Sequence, residues 1–374
     1  MKWPTAQLGA VTKIVSGSTP KSGNPAFWGG SIPWATPTDL SGLTTKELAS
    51  TGRKITEAGL ASCSANMLPA RSVLFSSRAP IGLVAINNQP LCTNQGFKSF
   101  VPDSSRLSPD FLYWWLKGNR PALEHLGRGA TFKEVSKSII EKVEIPLPPL
   151  AEQKRIAAIL DAADALRTKR REALAQLDAL LQSTFLTLFG DPVANPVGWE
   201  DEDGRKGWVR CVLGDQIKLQ RGKDITKTAA RPGIVPVISS GGTSFYHDTA
   251  IVSGPGVLLG RKGSVGKVHF TETDFWPHDT TLYVKEFKGN EPRFVFYFFK
   301  RFPIAHYEAS VANPSLNRNN LHPVKVCWPP LPLQQKFAAI VESVERQKAA
   351  QRAHLAALDA LFAALQHRAF RGEL

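Results

Sequence analysis

Four cysteines in 374 residues, Cys63, Cys92, Cys211 and Cys327, are too few and too scattered for a disulfide framework, and none forms a CxxC pair that would suggest a zinc site. That usage fits reduced, buried thiols in a cytosolic protein. No run reaches the ~18 apolar residues of a membrane span, and the stretch from Met1 to Val15 lacks the apolar centre of a signal peptide. A cytoplasmic protein is therefore expected. Catalytic signatures are scarce as well. The chain has no HExxH, no GxSxG, no GxGxxG within a βαβ pattern and no Asn-Pro-Pro-aromatic run. Gly260-Arg261-Lys262-Gly263-Ser264-Val265-Gly266-Lys267 resembles a phosphate loop, but it is one residue too long, and Val268 stands where Ser or Thr is required. His278-Asp279 could form a general-base pair, but no nucleophile or metal cluster accompanies it in the sequence. The expected metal and cofactor complement of this chain is none.

What is present is positive charge and repetition. The formal net charge is +14, which suits a polyanionic partner, and a hydrophobic fraction of 43% is ample for folded cores. The length suggests two or three domains. Pro148-Pro149-Leu150-Ala151-Glu152-Gln153-Lys154-Arg155-Ile156-Ala157-Ala158-Ile159-Leu160 returns 181 residues later as Pro329-Pro330-Leu331-Pro332-Leu333-Gln334-Gln335-Lys336-Phe337-Ala338-Ala339-Ile340-Val341. The same offset carries Leu174, Leu177, Asp178 and Phe189 onto Leu355, Leu358, Asp359 and Phe370. The segments before these repeats correspond more loosely. Val73-Leu74-Phe75 with Arg78 and Gly82 matches Val257-Leu258-Leu259 with Lys262 and Gly266, and the aromatic run Phe111–Leu116 matches Phe294–Phe299. The chain thus divides into a first globular domain 1–149, a first helix 150–190, a linker 191–207, a second globular domain 208–331 and a second helix 332–374.

Both helices carry a heptad pattern. Leu160, Leu174, Leu177, Leu181 and Leu188 mark the apolar stripe of the first, and Val341, Val344, Leu355, Leu358, Phe362 and Leu365 that of the second. Arg167 and Arg170 interrupt the first stripe, and Lys348 and Gln351 the second. Forty residues make a helix of about 60 Å, too long to bury against one small domain, so the two are expected to pack together as coiled coil and partner-docking surface. Residues 1–149 hold 16 Lys and Arg against 9 Asp and Glu, giving +7, whereas 150–204 hold 6 against 10, giving −4. Residues 205–331 hold 18 against 9, giving +9. The positive charge belongs to the globular domains.

Those domains alternate short strands with polar, glycine-rich loops, of the kind that can hold phosphates through Lys, Ser and Thr and read base edges through Arg, Asn and Gln. Candidate DNA-contacting residues in the first domain are Ser18, Thr19, Lys21, Arg78, Asn94, Gln95, Arg128 and Thr131. In the second they are Arg221, Lys223, Ser239, Ser240, Arg261, Lys262, His278, Asn313, Ser315 and Arg318. The residues alone leave three readings open: a sequence-specific DNA reader, a coiled-coil adaptor that binds DNA without sequence preference, and a nuclease or methyltransferase with an unrecognised active site.

The repeated Pro-Pro-Leu-x-x-Gln segments, Phe189-Gly190-Asp191-Pro192 followed by Asn195-Pro196 and Gly198-Trp199, and the closing Ala369-Phe370-Arg371-Gly372-Glu373-Leu374 resemble the specificity subunits of type I restriction-modification systems. Ser16-Gly17-Ser18-Thr19-Pro20 and Ile32-Pro33-Trp34 resemble the start of that family's target-recognition domain, and Arg221-Gly222-Lys223-Asp224 departs from it. The resemblance implies an α+β fold: two mixed α/β target-recognition domains joined by two long antiparallel helices in a coiled coil, with a pseudo-twofold internal repeat. It implies a non-catalytic subunit that binds a bipartite double-stranded DNA site, one half per domain, with the helices setting the spacing. It also implies two methyltransferase subunits using S-adenosylmethionine, and translocating nuclease subunits using ATP and magnesium, as partners.

Overall fold

The structure, a computed structural model, describes residues 3–127, 133–191, 195–196, 208–307 and 315–374. It divides into two compact units. Unit 1 comprises 1–172 with 353–374, and unit 2 comprises 173–352. Each unit therefore holds one globular domain, the first part of one long helix and the last part of the other.

The long helices are Leu150–Phe189 and Leu331–Arg371. The first contains no Gly or Pro, and the second has its proline, Pro332, in the opening turn, where a missing N–H costs nothing. Gly190 at φ +67° and Gly372 at φ +75° end them in the left-handed conformation that glycine adopts without a Cβ penalty. Their starts explain the glutamine in each Pro-Pro-Leu repeat. Gln153 accepts from the Ser108 amide at 2.8 Å and donates to the Arg106 and Pro148 carbonyls. Gln334 accepts from the Glu291 amide at 3.0 Å and donates to Asn290 and the Pro329 carbonyl. Both are fully buried, and each ties a long helix to the capping residue of the aromatic helix, Pro109–Gly118 or Pro292–Arg301.

In unit 1 the sheet order is Thr12–Ser16, Lys98–Pro102, Val73–Phe75, Val84–Asn87 and Glu47–Leu48. A smaller sheet runs Arg53–Ile55, Trp28–Ala35, Cys92–Thr93. In unit 2 the order is Lys218–Arg221, Thr281–Glu286, Gly256–Gly260 and Val268–Thr271, with Gly242–His247, Val235–Ser239 and Trp276–Pro277 as the smaller sheet. The core of unit 1 packs Phe100, Phe111 and Trp114 against Ile156, Leu160 and Phe362. That of unit 2 packs Phe294 and Phe298 with Phe185, Phe189, Phe337 and Val341. In both units the helix segments run antiparallel.

Burial grades the heptad positions. Leu160, Leu181, Val341, Val344 and Phe362 are buried, and Leu174, Leu177, Leu188, Leu355, Leu358 and Leu365 are half-buried. Leu180 and Leu361, 181 residues apart, are 48% and 50% exposed. The phosphate-loop lookalike Gly260–Lys267 is a hairpin connection between two strands. The Gly266 amide donates to the Gly260 carbonyl and the Gly260 amide to the Lys267 carbonyl, and no helix follows to offer an N-terminus to phosphate.

Candidate nucleic-acid interface

One backbone frame is built twice. In unit 1 the Asn94 amide donates to the Ala35 carbonyl at 2.9 Å, and in unit 2 the His278 amide donates to the Ile238 carbonyl at 2.9 Å. The Ser77 amide meets the Gly96 carbonyl at 2.7 Å, and the Arg261 amide meets the Thr280 carbonyl at 2.7 Å. Gly17 and Gly222 lie against this frame so closely that an added Cβ would stand 1.9 Å from the Asn94 oxygen and 2.1 Å from the His278 oxygen. A tryptophan indole seals each copy: Trp34 donates to the Ser18 carbonyl at 3.0 Å and Trp276 to the Lys223 carbonyl at 2.9 Å. Trp34 and Trp276 sit on different, neighbouring strands of their small sheets, so equivalent hydrogen bonds are reached from different sequence positions.

The frames carry different side chains. In unit 1, Thr19, Arg78, Asn94 and Gln95 line one cavity of about 660 Å³ together with Asp39 and Arg53. The Thr19 hydroxyl donates to the Gln95 side-chain carbonyl. Asn94 uses its oxygen to accept from the Gly96 amide at 2.9 Å. Arg78 lies 4.0 Å from Glu134, which Lys98 also reaches at 3.0 Å. Ser18 is half-buried and Lys21 is exposed. Arg53, which the sequence did not single out, stacks its guanidinium 3.6 Å from the Trp28 ring centre. Asp39 accepts from the amides of Thr36 and Gly52 at 2.7 Å each. Nothing in the local sequence marks either residue, because strand pairing and the turn bring them to the cavity.

In unit 2 the corresponding place is ionic. Arg221 donates to Asp279 at 2.8 Å, and His278 lies 3.1 Å from Asp279 and 3.5 Å from Asp224. Asp224, His278 and Asp279 bring one ligand atom each within 4.8 Å of one another. Asp224 is the third group that adjacency in sequence could not supply, and Arg221 already provides the cluster with a cation. Burial works against the Asp279 carboxylate, but the Arg221 hydrogen bond, with His278 and Arg261 nearby, holds it below the ordinary carboxylate range. Burial lowers Arg261, and the neighbouring Arg221 guanidinium adds to the effect. Lys223 places its ammonium 5.6 Å from the Trp276 ring centre.

The remaining candidates divide. Ser239 and Ser240 belong to a hairpin turn, where the Ser239 hydroxyl donates to the Gly242 carbonyl and the Ser240 amide donates to Thr280. Lys262 forms a bridge with Ser315, as Arg78 does with Glu134 in unit 1. Arg318 is exposed at the start of the turn Arg318–Leu321, next to the capping Asn317. Arg128, Thr131 and Asn313 lie outside the described residues, as does the acidic run Glu200–Asp203 of the linker.

The family described as the type I restriction modification DNA specificity domain matches residues 1–176 and 205–359. The type I restriction enzyme MjaIX specificity subunit of Methanocaldococcus jannaschii is 28% identical over 372 residues, covering 91% of this chain and 86% of that one. Two solved structures share the fold. One, reported for complex assembly and conformational transition of a type I restriction-modification system, has a TM-score of 0.62 at 18% identity and covers 100% of this chain and 98% of that one. The other, the S subunit of a type I system from M. genitalium, has a TM-score of 0.60 at 16% identity and covers 99% and 96%.

Proposed function

The chain belongs to the family of type I restriction-modification DNA specificity domains, and from that premise we propose that it gives a type I complex its DNA address. It is the specificity subunit, not an enzyme, and it works within a complex. Each globular domain reads one half of a bipartite double-stranded site. The reading is carried by the duplicated frame: identical backbone bonds present Asn94 and Gln95 in one unit and His278 and Asp279, with Arg221 and Arg261, in the other. Asn and Gln side chains can pair with the adenine edge and Arg with the guanine edge, so one architecture with two side-chain sets suits two different half-sites. The net charges of the globular domains supply a sequence-independent, salt-sensitive attraction to phosphate.

The chemistry comes from other chains. Two methyltransferase subunits using S-adenosylmethionine dock on the scaffold, and translocating nuclease subunits using ATP and magnesium join them in the cytoplasm. No helix among the described residues is long and apolar enough to cross a membrane. The test is to exchange residues 1–149 for the first domain of another family member and sequence methylated host DNA. One half of the methylated motif changes and the other stays. A change in both halves, or in neither, overturns the one-domain, one-half-site assignment.

A further inference from the structure

The two halves of the repeat differ at one sheet edge. In unit 1 the strand Val84–Asn87 is covered by a short parallel strand, with Glu47 opposite Ile86 and Leu48 opposite Asn87, and the Ile86 amide donates to the Lys46 carbonyl at 2.8 Å. Lys46 extends from that strand between Asp110 at 2.7 Å and Asp161 at 2.6 Å. Burial disfavours its charge, but the two aspartates outweigh this and raise its pKa. In unit 2 the equivalent strand, Val268–Thr271, is the sheet edge. Leu74 opposes Ala85 as Leu258 opposes His269, so Phe270 occupies the place of Ile86. Its outward amide is the counterpart of the one that Lys46 satisfies.

The chain has no material for a fifth strand there. Residues 36–72 join Trp28–Ala35 to Val73–Phe75 in the first copy, and only residues 240–255 join Val235–Ser239 to Gly256–Gly260 in the second. What remains is a cavity of about 790 Å³ lined by Val268, Phe270, Phe296, Tyr297 and the helix residues Glu342 and Glu345. Glu342 lies 181 residues after Asp161, the acid that Lys46 engages in the first copy. Glu345 is held by Lys348 at 2.6 Å, and Glu272, also on the wall, by Arg293 at 2.7 Å. Glu342 is exposed and makes no ion pair among the described residues. Arg346 also lines the cavity without an ion pair among the described residues, which favours a single cation over a polybasic tract.

We infer that this edge receives an extended segment of a partner protein, added as a parallel strand beside Val268–Thr271 with one Lys or Arg side chain reaching Glu342. An unpaired edge is a template for strand addition: backbone bonds give affinity and the side-chain pocket gives selectivity. The unit 1 segment is the internal pattern for the occupant: a parallel strand, a cation beside an acid on the long helix, and an apolar residue, Leu48, buried two positions later. The inference rests on the repeat and stands apart from the DNA-reading proposal.

The probe is a synthetic peptide with the sequence of residues 42–50, Gly-Leu-Thr-Thr-Lys-Glu-Leu-Ala-Ser, added to the full chain. Hydrogen exchange read by mass spectrometry is expected to slow over Val268–Thr271, with no change over Val84–Asn87. Fluorescence anisotropy of the labelled peptide is expected to weaken at least tenfold with E342K, an exposed position, or with Glu in place of the peptide lysine. Combining the two reversed charges should restore binding. Absence of protection over Val268–Thr271 at millimolar peptide, or protection that persists equally in E342K, overturns the inference. So does protection confined to Val84–Asn87.

Discussion

The Arg167 side chain donates from Nε to Asp359 Oδ1 at 2.6 Å, joining the first long helix to the second. The repeat writes the contact again in reverse. At 181 residues beyond Arg167, Lys348 on the second helix reaches Asp178 on the first at 2.7 Å, and Asp178 is itself the counterpart of Asp359. Each cation also bonds an acid one turn back on its own helix, Asp164 for Arg167 and Glu345 for Lys348. The polar breaks in the two heptad stripes are thus cross-helix ion networks, which tie the apolar stripe to one register.

Lys348 is 7% exposed at its side chain, so its charge depends on its two partners. Burial acts to lower its pKa, but Asp178 and Glu345 override it and the net direction is up. A raised folded pKa adds stability that is fully present below the unfolded lysine value and is lost as pH rises through the folded value. Removing both acids, D178N with E345Q, should destabilise by about 2 kcal/mol. That is below the ~3–5 kcal/mol of a fully buried pair because Asp178 and Glu345 are 58% and 42% exposed. K348M should cost far less and should flatten the alkaline limb. Urea unfolding at pH 7 and pH 10 compares them, and a K348M loss as large as that of the double variant would refute the argument.

Arg231 grips Asp248 through two nitrogens, at 2.6 and 2.9 Å, and Thr249 adds a hydroxyl donor. The Arg231 hydrogen bond, then Thr249, hold this exposed carboxyl down at about 2. A depressed acid favours folding above the ordinary carboxylate range and loses that contribution as pH falls through about 2. Carbon-detected NMR titration should find Asp248 low in the native chain and near the ordinary value in R231A. An unchanged midpoint in R231A would assign the shift elsewhere.

His322 accepts the buried Leu219 amide on Nε2 at 3.1 Å, a bond that requires Nε2 to be unprotonated. Burial lowers the pKa of its imidazole, and Arg318, Lys288 and Lys218 reinforce that direction. The unfolded chain therefore binds the proton first, and stability should fall as pH drops below about 6.5, levelling off under the folded value. Protonation would strand the Leu219 amide, a loss of about 1 kcal/mol. Thermal unfolding from pH 8 to pH 5 should slope downward in the native chain and lose that component in H322Q. Parallel curves would separate His322 from the effect.

The division of the chain, its long helices and its aromatic helices were legible because they rest on local periodicity and on an offset visible by eye. The glutamine in each Pro-Pro-Leu repeat was legible as a repeat but not as a tie, because its partners at Ser108 and Glu291 lie more than forty residues away. The two-residue strand Glu47–Leu48 has no pattern to betray it and exists through its pairing with Ile86 and Asn87. Candidate side chains were chosen by residue type in polar loops. That reached Thr19, Arg78, Asn94 and Gln95, which share one cavity. It missed Arg53 and Asp224, which the fold delivers to the same places from separate segments.

Gly222 sets how closely the Arg221 strand approaches the loop at His278. A Cβ there would stand 2.1 Å from the His278 oxygen and 2.4 Å from the Pro277 oxygen, both backbone atoms that cannot rotate aside. In G222A the loop must move, carrying with it the His278–Asp279 pair and the salt bridge from Arg221 to Asp279. The core of unit 2, built from Phe294, Phe298 and their neighbours, lies elsewhere and should hold. If this loop reads the second half-site, G222A should keep a cooperative unfolding transition and normal recognition of the first half. It should lose discrimination at the second half by ~1–3 kcal/mol per displaced bidentate contact, or roughly tenfold to a hundredfold. G17A, whose Cβ would meet the Asn94 oxygen at 1.9 Å, should produce the mirror result on the first half. Competition binding with duplexes altered in one half at a time reads both variants, and equal loss at the two halves in either one would separate these loops from half-site reading.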